Sequence, residues 1–117
     1  MRWYVKEIEG EKMLEYAFEK KAVMKLRRLP TSYWPDKPPT SSLRGTADRT
    51  GCINGIMCAL EFKRDSKEAS KLKGRIVLQK HILNKIRDAG GYAAVVWPEN
   101  WPLVYEEIKA FCGVEDV

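Results

Sequence analysis

The sequence predicts an α/β domain in which helices flank one mixed sheet, in the order helix, three strands, helix, strand, helix. Three observations carry that expectation. Asn54-Gly55 lies between two segments that read as strands, and Asn-Gly is the preferred pair for a two-residue hairpin. A helical segment closing on Gly90-Gly91 runs into the apolar stretch YAAVVW, which suits a buried strand. The chain has 117 residues with 44% apolar and 32% charged side chains. That length buries roughly two-thirds of its unfolded surface, enough for one core and too little for two. Residues 1–117 are therefore read as a single domain.

Residues 5 to 21, rich in Glu, Lys, Leu and Ala, read as the first helix, with Leu14, Ala17 and Phe18 as its apolar stripe. Ala22 to Leu29 alternates in part and reads as the first strand. Pro30 to Ser42, PTSYWPDKPPTSS, carries four prolines and reads as a loop, mobile over about 30–43. Thr46 to Ile53 and Ile56 to Lys63 are the hairpin strands. Ile56, Cys58, Leu60 and Phe62 form the core face of the second. Lys73 to Ala89 is the next helix, with Ile82, Leu83 and Ile86 at helical spacing and Gln79 on the same stripe. Tyr92 to Trp97 is the last strand, stopped by Pro98, and Trp101 to Phe111 is a final amphipathic helix. The apolar positions Trp101, Leu103, Val104, Ile108 and Phe111 exceed what one helix face requires, which predicts a homodimer of two-fold symmetry.

The charge is unevenly spread. Lys and Arg number 21 against 16 Asp and Glu, a net of +5. Residues 20 to 87 hold 17 of the basic residues and 5 of the acids. A basic centre between acidic ends points to a phosphate polymer as partner, or else to ordinary solvated charge. No run of 18 apolar residues exists, so no membrane span is expected. MRWYVKEIEG lacks the apolar stretch of a secretory signal, which predicts a cytoplasmic protein. Cys52, Cys58 and Cys112 form no CxxC and no metal-ligand spacing, and fit reduced thiols.

A type I′ turn at Asn54-Gly55 fixes the hairpin register, so that facing residues sum to 109 and Asp48 lies opposite Glu61. Strand alternation puts Lys63 on the same face, roughly 6–7 Å from Glu61. Two carboxylates this close raise each other's pKa unless a cation sits between them. Carboxylate oxygens suit Mg²⁺ or Mn²⁺, and an adjacent ammonium suits a phosphate or an attacking water. The residues alone leave two readings open: a metal-dependent phosphodiester hydrolase centre, or a solvated cross-strand pair with Lys63 as a loose ion-pair partner.

The surrounding motifs favour the first. Asp48 with Glu61-Phe62-Lys63 forms a D…ExK pattern. Arg44-Gly45-Thr46-Ala47-Asp48-Arg49 resembles the RGxPDR segment of virus-type replication–repair nuclease (VRR-NUC) domains, and Asn54-Gly55 leading to Ala59-Leu60-Glu61-Phe62-Lys63 resembles their G…vElK strand. Gln79, in a helix closing on Ala89-Gly90-Gly91 before a Val-rich strand, resembles their glutamine helix. The likeness covers roughly residues 8 to 97. Ala47 stands where the family usually has Pro, and Lys21-Ala22 where it usually has Gly-Gly.

The resemblance implies a restriction-endonuclease-like core of the PD-(D/E)xK superfamily and a Mg²⁺-dependent endodeoxyribonuclease acting on branched, flapped or junction DNA in viral or mobile-element replication or repair. If phage-encoded, it would work in the host cytoplasm. The family roles carry over to Asp48 and Glu61 as metal ligands, Lys63 as assistant to the nucleophile and Gln79 beside the site. A first-helix Glu within a pattern like EKxLxxAV also reaches the family's site. Residues 11 to 18 fit that pattern, which selects Glu11 as a third ligand. Lys25, Arg27, Arg28, Arg44 and Arg49 are the candidate DNA contacts. The alternative is a catalytically inactive nucleic-acid-binding module of the same fold.

Overall fold

The computed structural model describes residues 2–36, 47–70 and 74–115, with side chains for 14–36, 47–70 and 78–115. The elements are α1 (Arg2–Arg27), β1 (Ser32–Tyr33), β2 (Arg49–Ile53), β3 (Ile56–Phe62), α2 (Ser66–Ser70), α3 (Gly74–Asp88), β4 (Tyr92–Val96) and α4 (Trp101–Phe111). The four strands form one sheet in sequence order. β1 and β2 pair antiparallel, as do β2 and β3, whereas β3 and β4 pair parallel through the α2–α3 crossover. The result is an α/β domain with a mixed sheet flanked by helices.

The hairpin forms as its turn chemistry dictates. Asn54 and Gly55 have φ of 51° and 80°, the left-handed values a type I′ turn needs. Ile53 pairs with Ile56, and facing residues sum to 109 through Arg49 and Leu60. Cys58, Leu60 and Phe62 are fully buried on one face of β3, with Ile56 packed beside them. The opposite face is buried too: Ala59 meets Leu83 of α3 and Ala93 of β4. A strand covered on both faces and paired on both edges holds its register firmly, because a one-residue slip would exchange the two faces.

One expected element is corrected. Ala22 to Leu29 is not a strand, because α1 continues through Arg27. Glu19, Ala22, Val23 and Leu26 are buried while Lys20, Lys21, Met24 and Lys25 are exposed, a helical rather than a two-residue period. No Gly or Pro interrupts residues 11 to 29, so the helix propagates until Pro30. Its last turn tightens, with Arg28 and Leu29 donating to Lys25 and Leu26 three residues back. The outermost strand is instead the two-residue β1, at the start of the segment expected to be loop. The next residue, Trp34, is buried with its indole against Gly51.

Gly51 is therefore required. A Cβ there would overlap the Trp34 ring. Gly51→Ala is expected to destabilise the fold by about 1–3 kcal/mol through forced repacking, read as a lower urea midpoint with an unchanged m-value. A normal midpoint would show that the indole moves at no cost.

α4 runs from Trp101 to Phe111, as expected from the sequence. Val104 and Ile108 enter the core, and Trp101 stacks with Phe18 and Tyr105. Only Leu103 and Phe111 of the apolar surplus remain exposed, at 65% and 49%, which narrows the sequence argument for a dimer to two side chains. All three cysteines are free thiols. The Cys58 and Cys112 sulfurs lie 3.7 Å apart beneath the end of α4. Burial, then the neighbouring Cys112, pushes the Cys58 thiol far up. In the native protein a maleimide is expected to modify Cys52 and to spare Cys58 and Cys112 until denaturant is added. Equal labelling of all three would contradict the packing.

Among the described residues, no helix is long and apolar enough to cross a membrane.

Candidate active site

The hairpin register carries Asp48 opposite Glu61, at the end of β3 remote from the turn. Where the ladder stops, the two carboxylates replace it. Asp48 Oδ2 accepts from the Phe62 backbone N–H at 2.9 Å, and Glu61 Oε2 accepts from the Asp48 N–H at 3.2 Å. Each acid thus fixes the backbone that carries the other, holding both carboxylates on one face of the hairpin.

α3 crosses that face and adds a third side chain. Gln79 is 3% exposed, and its Nε2 donates to Glu61 Oε1 at 2.9 Å. Lys63 leaves the end of β3, where its N–H donates to Val96 of β4 at 2.8 Å. Its ammonium lies 3.5 Å from Glu61 Oε1 and donates to Gln79 Oε1 at 3.3 Å. Glu61, Lys63 and Gln79 form a closed triangle of contacts, and Asp48 joins it at Glu61 Oε2 through its backbone N–H. The cluster sits at the carboxyl ends of the parallel pair β3 and β4, where open α/β sheets offer a crevice.

The electrostatics follow from burial. Glu61 is 2% exposed. Desolvation, then repulsion from Asp48, pushes its carboxyl up to about 8, against the pull of Lys63. A carboxyl raised in this way, facing a second carboxylate, is a position that a cation would stabilise.

The structure also brings in a residue that the sequence reading passed over. Glu15 of α1 is half-buried, and its carboxyl is raised by burial and then by Asp48, while Lys63 lowers it. It therefore belongs to the field of this cluster. Glu11 lies one turn earlier in α1, and its side chain is outside the described residues. The buried stripe of α1, Leu26, Ala22 and Glu19, extends back to Glu15 by helical spacing. That signal was present in the sequence. Ending the helix at residue 21 and anchoring its stripe on Leu14 hid it, for Leu14 is 70% exposed.

The expected DNA contacts are scattered. Lys25, Arg27 and Arg28 close α1 at the turn end of the sheet, where Asn54 donates to Thr31. Ten residues of helix, about 15 Å, separate Lys25 from Glu15. Lys25 lies 4.1 Å over the Tyr105 ring, and Arg27 donates to the Trp34 carbonyl and to Asp36. Arg28 is exposed. Arg49 points to the opposite face of the sheet and pairs with Glu19 at 2.8 Å, both nearly buried. Such a pair is an internal tie between α1 and β2, since breaking it would strand a buried charge. Arg44 lies outside the described residues.

Among the described residues, no three His, Cys, Asp or Glu side chains form a group that could hold a metal by themselves. Asp48 and Glu61 form a pair, which suits Mg²⁺, an ion commonly held by one or two carboxylates with water and substrate phosphate. The buried Glu61 beside a second carboxylate fits a divalent cation in charge and donor type. Comparisons of the chain with family models, with curated proteins and with solved structures find no match in any of the three.

Proposed function

We propose that this chain is a Mg²⁺- or Mn²⁺-dependent endodeoxyribonuclease that hydrolyses phosphodiester bonds in branched or flapped DNA, with a PD-(D/E)xK centre of the VRR-NUC kind. The observation that carries the reading is the convergence of Asp48, Glu61, Lys63 and Gln79 on one crevice. Four polar residues from three separate segments meet there, and two of them are buried. A carboxylate raised by burial and then by a neighbouring acid is costly to keep without a function to use it. The sequence resemblance assigns nuclease roles to the same four residues.

The chain's own residues then divide the work. Asp48 and Glu61 would hold the cation. When bound, it supplies Lewis-acid stabilisation of the phosphate oxygens. Gln79 bridges Glu61 and Lys63, fixing the carboxylate and the ammonium relative to each other. The Lys63 ammonium offers a donor to the attacking water or to charge developing on the phosphate. Half-buried Glu15 adds a third acid within the field of Asp48 and Lys63, and would accept a proton from water.

The test is nicking of a supercoiled plasmid and of synthetic flap, splayed and junction substrates, in Mg²⁺, Mn²⁺ and EDTA. Cleavage that needs the divalent ion is the expected result. Asp48→Asn is expected to abolish it and to remove the rise in melting temperature that Mn²⁺ gives the native protein. DNA binding without cleavage in either ion would leave only a binding module of this fold. Neither binding nor cleavage would end the reading.

A further inference from the structure

Among the described residues β4 is the last strand of the sheet, and its outer edge opens into a groove between α3 and α4. The cavity there has a volume of about 390 Å³. Lys80, Asn84 and Arg87 line it from α3, and Leu103 and Glu107 from α4. Its floor includes Val95, the register partner of Glu61. The floor of the groove thus lies one strand spacing, about 4.8 Å, from the backbone that carries Glu61. Lys80 follows Gln79 directly in α3, so the wall of the groove and the wall of the candidate active site are one helix.

Its chemistry narrows the occupant. Val96 gives its carbonyl to Lys63 across the sheet, so the carbonyls of Ala93 and Val95 point outward. Both are already capped: Arg87 Nε donates to Ala93 at 2.8 Å, and Asn100 Nδ2 to Val95 at 3.1 Å. An edge whose outward carbonyls are taken is a poor template for another strand. Lys80, Asn84 and Arg87 recur at helical spacing along one face of α3. The Arg87 guanidinium is held twice, by Ala93 and by Asn84 Oδ1 at 3.2 Å, so it is oriented in advance. The single acid, Glu107, is engaged by the Tyr92 hydroxyl at 3.0 Å. Lys80 and Arg87 stand about 10 Å apart along the helix axis, far enough to meet different phosphates of one strand.

We infer that the α3–α4 groove along β4 is a phosphate-backbone track, which takes the DNA strand leaving the carboxylate cluster and grips it through Lys80 and Arg87. The inference rests on the nuclease reading and deepens it. It moves the substrate path to this groove and away from Lys25, Arg27 and Arg28.

Binding of a labelled flap DNA by anisotropy in Ca²⁺, across a salt series, tests it. Lys80→Ala is expected to weaken binding and to reduce the slope of log K against log salt by about 1, as for the loss of one phosphate contact. Leu103→Lys adds a cation on the facing α4 wall, where Leu103 is exposed, and is expected to strengthen binding and steepen the slope. Melting temperatures near the native value would show that both variants fold. Native-like binding by both, while the native protein binds and cleaves, would overturn the track and leave the nuclease reading standing. A native protein that neither binds nor cleaves DNA would overturn the nuclease reading itself. Saturation of the groove by a mononucleotide, with flap affinity unchanged by either variant, would make it a small-anion pocket and also overturn the track.

Discussion

Lys63→Met is expected to lower the cleavage rate at saturating DNA by roughly 10²–10³, the scale for losing one oriented electrostatic stabiliser. Methionine keeps most of the apolar stem and removes only the ammonium. That ammonium lies 3.5 Å from Glu61 Oε1 and is tied to Gln79, so its absence changes the charge of the crevice more than its shape. DNA affinity in Ca²⁺ is expected to change little, because one phosphate contact among several is lost. Lys25→Ala, at the far end of the sheet, removes a cation–π contact with Tyr105 and should leave cleavage near normal. The decisive comparison is single-turnover cleavage against affinity. If Lys63→Met loses affinity yet keeps its saturated rate, Lys63 is only a DNA contact and the catalytic assignment fails.

The parts of this molecule that were legible in the sequence are those governed by local rules. Asn54-Gly55 dictates its own turn. The turn dictates register, and register alone puts Asp48 opposite Glu61. The span of α4 and the burial of Gln79 followed from apolar spacing and from Gly90-Gly91 in the same way. What failed was the stretch where two periods compete. Val23, Lys25 and Arg27 alternate with Met24 and Leu26 well enough to suggest a strand, yet burial of Ala22, Val23 and Leu26 against the sheet selects the helix. With α1 ending at residue 21, Lys25 falls in a strand, and the buried stripe that runs from Leu26 back to Glu15 is not visible. Arg49 shows the other limit. No local rule reveals that Glu19, thirty residues away, will claim its guanidinium.

The metal-free protein is expected to lose stability as pH rises from about 4.5 to about 8, and a divalent cation is expected to restore it. The sign follows from Glu61. Its folded-state carboxyl is pushed up to about 8 from an ordinary 4.5, by burial first and Asp48 second. Between those values the folded state holds a proton that the unfolded chain has released, so stability falls with rising pH. The contribution is fully present below the unfolded pKa and is lost as pH passes through the folded one. The raised carboxyl of Glu15 acts in the same direction. At about 1.36 kcal/mol per pKa unit, the loss is on the order of a few kcal/mol, a large part of the stability of a domain this size. A cation held between Asp48 and Glu61 takes over the role of that proton, so Mn²⁺ should raise the melting temperature more at pH 8 than at pH 5. Urea unfolding at pH 5, 6.5 and 8, with EDTA and with Mn²⁺, measures both effects. Asp48→Asn should make the EDTA series shallower without flattening it, because it removes the like charge facing Glu61 and leaves the larger effect of burial, and it should erase the Mn²⁺ response. A metal-free protein equally stable at pH 5 and pH 8 would mean that Glu61 is ionised in the fold without a cation, and the electrostatic argument for a metal there would collapse.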